Sequence, residues 1–471
     1  MIKKLIQHTI IYGLSPYIPK ILGFFILPII TKDLTDIDYG IYGIILAYVG
    51  AIEVLKDLGL NLILYNSYTR MPFQFKWLWR QIYGFLSIWN IAYAVFAGAL
   101  IYFIVPSPAS ENVWAIIILN VLPIIVFGPT SLVGRVFYQM REKPMQIGVR
   151  TIVFGILSVL INLFTISYLK MGYMGWFWST CITGLLMNAS FWYPINRIHK
   201  LTPIFNYRWK TIRENLTISL PTVPHYYSTY LLQTSDRAIM NLMEVNTQDI
   251  GKYSFAGTFG GYFRMLGNAV GQAIRPVLNT GYREKKFREV RNLIFIIQGM
   301  FFLATFLTSI WTKDIFLIMV KNAELSKTYP LAVILIMATN YRPMYLGSAG
   351  PLMYFEHTKK LLRVTFAAAI LSVILNFIFI PVFGYVTPVF NMFFSLMYMG
   401  YSGFFIKEFK QKNTAKFYPL IWLLATVLLT IAAFFMVEFS FEFKLALSVI
   451  LLSFAGIMYF YKGKIKSKIY G

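Results

Sequence analysis

Apolar residues run along this chain in continuous blocks of roughly 20, the length a helix needs to cross about 30 Å of hydrocarbon, and short polar breaks separate the blocks. The blocks do not alternate with period two. Backbone amides inside lipid must be satisfied within each segment, so the pattern predicts helices rather than an outer-membrane barrel. Fourteen spans are expected. The first six lie near residues 5–31, 39–62, 81–104, 113–136, 148–169 and 172–195, and the next six near 215–242, 253–274, 292–312, 329–354, 364–381 and 386–406. A last pair lies near 418–437 and 445–461. The first block follows Lys3 and Lys4 as a signal peptide would, but it is too long and has no small-residue cleavage site, so it reads as span one.

The placing of charge tests this layout. Alternate loops hold 31 Lys and Arg on one side and 7 on the other, with Lys20, Lys56, Arg237, Arg264 and Arg342 left inside spans. Cytoplasmic loops collect positive charge, so both termini are expected in the cytoplasm. Composition agrees: 13% of residues are charged, against about 25% in a soluble chain. The net charge of +24 is spread over every second loop instead of one patch or arm, which argues against a nucleic-acid partner. Cys181 is the one cysteine, so no disulfide framework, cysteine-bound metal or other cofactor is expected.

The chain also repeats itself. Span one carries Pro16 and Pro19 as Pro-x-x-Pro, and span seven carries Pro221 and Pro224 in the same pattern. Asp38-x-Gly40-x-Tyr42 opens span two as Asp249-x-Gly251-x-Tyr253 opens span eight, and ILSVLINL from Ile156 answers ILSVILNF from Ile370. Matches in one order at nearly one offset predict two parallel six-helix lobes, residues 1–200 and 201–412, followed by a helix pair at 413–471. The fold class expected is an all-α polytopic membrane protein.

Charges in mid-membrane are costly and mark functional candidates. Lys20, Arg264 and Arg342 lie near the middle of spans one, eight and ten with no carboxylate within a helical turn, which points to an anionic ligand such as a phosphate or pyrophosphate. Arg237, beside Asp236, lies nearer the outer end of span seven; an ion pair between these neighbours is the structural alternative. On span eight Asn268 and Gln272 follow Arg264 at helical spacing, and Gly257, Gly261 and Arg275 share that face. Thr222, His225, Gln233 and Asp236 form a polar stripe on span seven, and Glu53, Asp57 and Asn61 one on span two. Such faces either glue helices together or line a cleft. Glu53, Asp57, Asp236 and His225 are candidates for ion coupling. The four prolines are candidate hinges.

These residues resemble the multidrug/oligosaccharidyl-lipid/polysaccharide exporters, and within them the polysaccharide-unit flippases. The resemblance rests on Tyr12-Gly13 through Pro28 around Lys20, Tyr39 to Tyr42, Leu220-Pro221, Asp236-Arg237, Gly251-x-Tyr253, and Asn376 to Pro381 before Gly384. Past Gly384 the chain departs from the family's usual Gly and Ala with Tyr385-Val386-Thr387-Pro388, which leaves the packing of span twelve open. The resemblance implies movement of an undecaprenyl-diphosphate-linked oligosaccharide to the outer leaflet of a bacterial inner membrane, without enzymatic chemistry. A polysaccharide polymerase and a chain-length regulator are the partners it suggests. Two other readings stand: a drug or cation antiporter of the same superfamily, which needs an acidic central cavity, and a membrane-embedded glycosyltransferase or polymerase, which usually needs a long outer loop.

Overall fold

A computed structural model describes residues 15–355 and 357–470, leaving out the side chains of residues 225, 226, 229, 358, 412 and 458–470. The described residues fold as helices, with no strand among them. Span one appears from Ser15 onward as α1 (Tyr17–Phe25) and the short α2 (Leu27–Ile30). Span two is split into α3 (Asp36–Glu53) and α4 (Asn61–Arg70). There follow α5 (Phe75–Ile104), α6 (Val113–Ile125), α7 (Gly128–Met140), α8 (Pro144–Asn162) and α9 (Met174–Tyr193).

Span seven falls into α10 (Trp209–Ser219), α11 (Val223–Gln233) and α12 (Ser235–Leu242), whereas span eight lies within one long helix, α13 (Thr247–Arg283). The chain continues through α14 (Phe287–Ile310), α15 (Thr312–Met319), α16 (Ala323–Ser326), α17 (Tyr329–Ala338) and α18 (Tyr341–Tyr354). The last helices are α19 (Thr358–Phe383), α20 (Thr387–Tyr401), α21 (Lys407–Lys412), α22 (Pro419–Met436) and α23 (Phe441–Tyr470).

The repeated Asp-x-Gly-x-Tyr turn does the same work twice. Thr35 and Asp38 form a reciprocal cap at the start of α3, with the Thr35 hydroxyl accepting from the Asp38 amide and the Asp38 carboxylate accepting from the Thr35 amide. At the start of α13 the Asn246 side chain accepts from the Gln248 amide, and Asp249 stands in the first turn. Asp38 and Asp249 are each the third residue of their helix, where a carboxylate meets the positive end of the dipole.

The glycines of the two turns then face each other. A Cβ on Gly251 would fall 1.7 Å from the Asp36 carbonyl oxygen, and one on Gly40 would fall 2.0 Å from that of Thr247. Only glycine lets two helix backbones approach so closely.

Buried side chains gather in several clusters. Residues between Leu58 and Ile212 form one around Trp79, Ile82 and Phe137, and Ile41, Ile116 and Phe177 belong to another. The largest runs from Leu232 to Phe417 and takes in Leu27 and Ile44 from the first part of the chain. α22 and α23 dock on α14 and α17 through Phe306, Val333, Met337 and Ala433.

Six helical stretches of the described residues are long and apolar enough to cross a membrane: Phe75–Ile104, Ser107–Ile125, Pro144–Tyr168, Phe287–Ile310, Lys359–Phe405 and Pro419–Met436. Outward-facing Val153, Leu160, Leu424 and Leu428 suit contact with lipid. Spans one, two, four, seven and ten are interrupted instead of straight, and these carry most of the mid-span charges.

Candidate functional site

α1 leans on α13. The Tyr17 hydroxyl donates to the Met265 carbonyl (3.0 Å), and Phe24 meets Tyr262 edge-on with ring centroids 5.6 Å apart. This contact brings Lys20, one turn beyond Tyr17 and exposed, within electrostatic range of Arg264 on α13. Arg264 is in turn within range of Asp236 and Arg237 on α12. Its guanidinium donates to the soft sulfur of Met392, 3.6 Å away. Arg342 on α18 lies against the same helix about a turn farther on, where a Cβ on Gly267 would fall 3.0 Å from its Cγ. Its guanidinium sits over the Tyr345 ring at 5.5 Å, and its Nε is buried without a hydrogen-bond partner among the described residues. Asn268 and Gln272 are exposed farther along α13.

Asp236 and Arg237 do not take each other as partners. Tyr253 donates to one oxygen of Asp236, while the other is buried with no hydrogen bond among the described residues. The Arg237 Nε donates to the Ser254 hydroxyl (2.9 Å), and its guanidinium lies over the Tyr253 ring. Neighbours on a helix point about 100° apart, so each side chain is free to find its own partner on α13.

A second polar region opens where span two breaks. Residues 54–60 form a turn in which Leu58 and Gly59 take φ of 51° and 71°. A cavity of about 430 Å³ lies there, lined among others by Glu53, Asp57, Asn61, Tyr230 and Gln233. Lys56 belongs to the same neighbourhood, and so does Arg135 on α7, which the charge count places in a cytoplasmic loop. Arg135 comes within electrostatic range of Glu53 and Asp57 on a helix that begins at a break in span four, where Phe127 has φ 57° and α7 starts at Gly128-Pro129. That Gly-Pro pair is the sequence signal for the break.

The prolines begin helices more than they bend them. Pro16 is the residue before α1 and Pro19 lies in its first turn, packed against Gly155. Pro221 sits in a single 3-10 turn, Leu220–Thr222, and Pro224 in the first turn of α11. A missing amide costs little at a helix start, and these prolines sit at joints between short helices. The His225 side chain is outside the described residues. Asn340, at the break in span ten, is structural: it is buried, its side chain exchanges hydrogen bonds with the Thr305 hydroxyl, and its backbone carbonyl accepts from the Gln298 amide.

A family model described as "Polysaccharide biosynthesis protein" matches residues 5–281. Among solved structures, one described as "Lipid II flippase MurJ, inward closed conformation" is 13% identical with a TM-score of 0.68, covering 91% of this chain and 98% of that one. A variant of the Vibrio cholerae MATE transporter VcmN is 14% identical with a TM-score of 0.51, covering 87% of this chain and 96% of that one. At such identities the likeness is one of fold. A comparison with curated proteins found no match.

Proposed function

This chain belongs to the polysaccharide biosynthesis protein family, with the fold of the multidrug/oligosaccharidyl-lipid/polysaccharide superfamily, and from that premise we propose that it is a flippase for a lipid-linked oligosaccharide. It is a multi-pass membrane protein. In the proposed function it lies in a bacterial inner membrane with both termini in the cytoplasm. It carries an undecaprenyl-diphosphate-linked repeat unit to the outer leaflet by alternating access, for O-antigen, capsule or exopolysaccharide assembly.

The observation that carries this reading is the pairing of Lys20 with Arg264. They come from different helices to one neighbourhood, and no carboxylate stands within 4 Å of either among the described residues. Two cations held together without a carboxylate at salt-bridge distance suit a diphosphate, with Arg237 and Arg342 close to the same face of α13. An antiporter cavity is expected to be acidic, whereas Asp236 here is engaged by Tyr253 and sits among cations.

The test is surface-glycan complementation in cells lacking the gene. A hydrogen bond to a charged group contributes about 1.5–3 kcal/mol, so Lys20→Ala and Arg264→Ala should each cut translocation roughly ten- to a hundredfold. Undiminished glycan display in both single variants and in the triple variant with Arg342→Ala overturns the reading.

A further inference from the structure

We propose that the cavity at the break in span two receives the sugar end of the substrate, while the Lys20 and Arg264 region holds its diphosphate. The proposal rests on the flippase reading and adds to it a second subsite with its own chemistry.

Charge balance comes first. Glu53, Asp57, Lys56 and Arg135 share one neighbourhood, yet no ion pair within 4 Å joins any two of them among the described residues. Glu53 and Asp57 line the cavity, while Lys56 and Arg135 stand within electrostatic range of them and offset their charge. A cavity lined by two carboxylates offers little to a diphosphate. It presents carboxylate acceptors, which the hydroxyls of a neutral sugar satisfy. Asn61 and Gln233 add amides, and Tyr230 adds an aromatic face.

Backbone geometry gives the second argument. Span two stops as a helix at Glu53 and resumes at Asn61, and transporters build substrate sites from such discontinuous helices. A non-glycine residue with positive φ, here Leu58, persists only where its surroundings hold it. The break is held in part by Trp89, whose Nε1 donates to the Leu55 carbonyl at 2.8 Å. The cavity of about 430 Å³ falls in the roughly 300–1,000 Å³ range of small-ligand sites.

Continuity with the cationic region is the third. Tyr230 lines the cavity and is also within electrostatic range of Asp236, which neighbours Arg237 and Arg264. The cavity and the cations are therefore neighbours along span seven, as the sugar follows the diphosphate in the substrate.

The experiment uses the full-length protein in detergent and two probes, bare undecaprenyl diphosphate and the lipid-linked oligosaccharide extracted from cells that make this protein. Binding is followed by native mass spectrometry, with thermal melting to confirm that each variant is folded. Glu53→Gln and Asp57→Asn should each weaken binding of the sugar-bearing lipid about tenfold and leave the bare lipid unchanged. Tyr230→Ala should do the same, whereas Tyr230→Phe should retain binding. Lys20→Ala should weaken both lipids, and failure of that arm alone counts against the diphosphate reading instead. The sugar subsite is overturned if the isosteric carboxamide variants change neither lipid or both equally. It is also overturned if Asp57→Asn spares both lipids and removes only a pH or sodium dependence of transport, the behaviour of a cation site.

Discussion

The two ends of α3 are built on opposite principles. At the Asp36 end the helix is capped by Thr35, and its Gly40 lies backbone to backbone with the start of α13. Tyr39 is wedged there between Trp176 and Phe255, with ring centroids 4.9 and 5.0 Å away. The adjoining loop is tied as well, since Asn322 donates to the Leu34 carbonyl at 3.1 Å. At the Glu53 end the helix gives way to a turn beside a cavity lined by polar side chains. A helix sealed at one end and open at the other lets a cleft be reached from one side only. In the orientation proposed above, the sealed end faces outward and the cavity faces the cytoplasm, where a lipid-linked sugar is loaded.

The sealed end is the place to break this arrangement with the largest effect. Gly251→Leu puts a Cβ 1.7 Å from the Asp36 carbonyl and a side chain beyond it, so the α3–α13 crossing has to part. Overpacking of this kind costs about 1–3 kcal/mol, and the contact here is backbone on backbone, which cannot yield by changing a rotamer. Gly251→Leu should abolish glycan display and lower the melting temperature of the purified protein, with Gly251→Ala acting in the same direction more weakly. Wild-type melting and activity in Gly251→Leu would show that the crossing does not depend on this approach.

Much of the sealed end can be read from the chain. The Asp-x-Gly-x-Tyr repeat marks both glycines and both third-residue aspartates, because caps and close approaches demand particular residue types at fixed spacing. The open end is less legible. Hydropathy over a 19-residue window counts apolar side chains and is blind to direction, so it runs span two straight through residues 54–60 and span four straight past Phe127. A straight span four puts Arg135 at its cytoplasmic end and hides its approach to Glu53 and Asp57. Tertiary choice of partner is equally invisible: adjacency suggests that Asp236 pairs with Arg237, but the carboxylate takes Tyr253 and the guanidinium takes Ser254. Lys20 and Arg264 are legible because isolated charge in an apolar run needs no partner to be conspicuous.

A smaller effect is expected at the open end. Gly59 has φ 71°, and a Cβ there would fall 2.8 Å from the Ser219 carbonyl and 2.7 Å from the Thr222 hydroxyl. Gly59→Ala meets a left-handed conformation that costs an L-residue roughly 1–2 kcal/mol, while the Thr222 hydroxyl is able to turn aside. The variant should stay folded, melt a little earlier, and flip substrate several times more slowly because the turn that carries Asp57 shifts. If its melting falls as far as that of Gly251→Leu, the break is as rigid as the crossing and the contrast between the two ends disappears.

The smallest effect sharpens what seals the closed end. Just before α3, Asp33 forms an ion pair with Lys170, and this pair is a rival explanation for the tightness there. Lys170 is 63% exposed, so water screens the attraction and ordering a long side chain offsets part of it; such pairs contribute about 0–1 kcal/mol. The Gly40 and Gly251 contacts, by contrast, are shape constraints that salt does not screen. Lys170→Ala should therefore leave melting nearly unchanged, and raising the salt concentration should change the wild-type protein as little. A marked loss of stability in Lys170→Ala, reproduced by high salt in the wild type, would assign the seal to charge instead of to the meeting of two glycines.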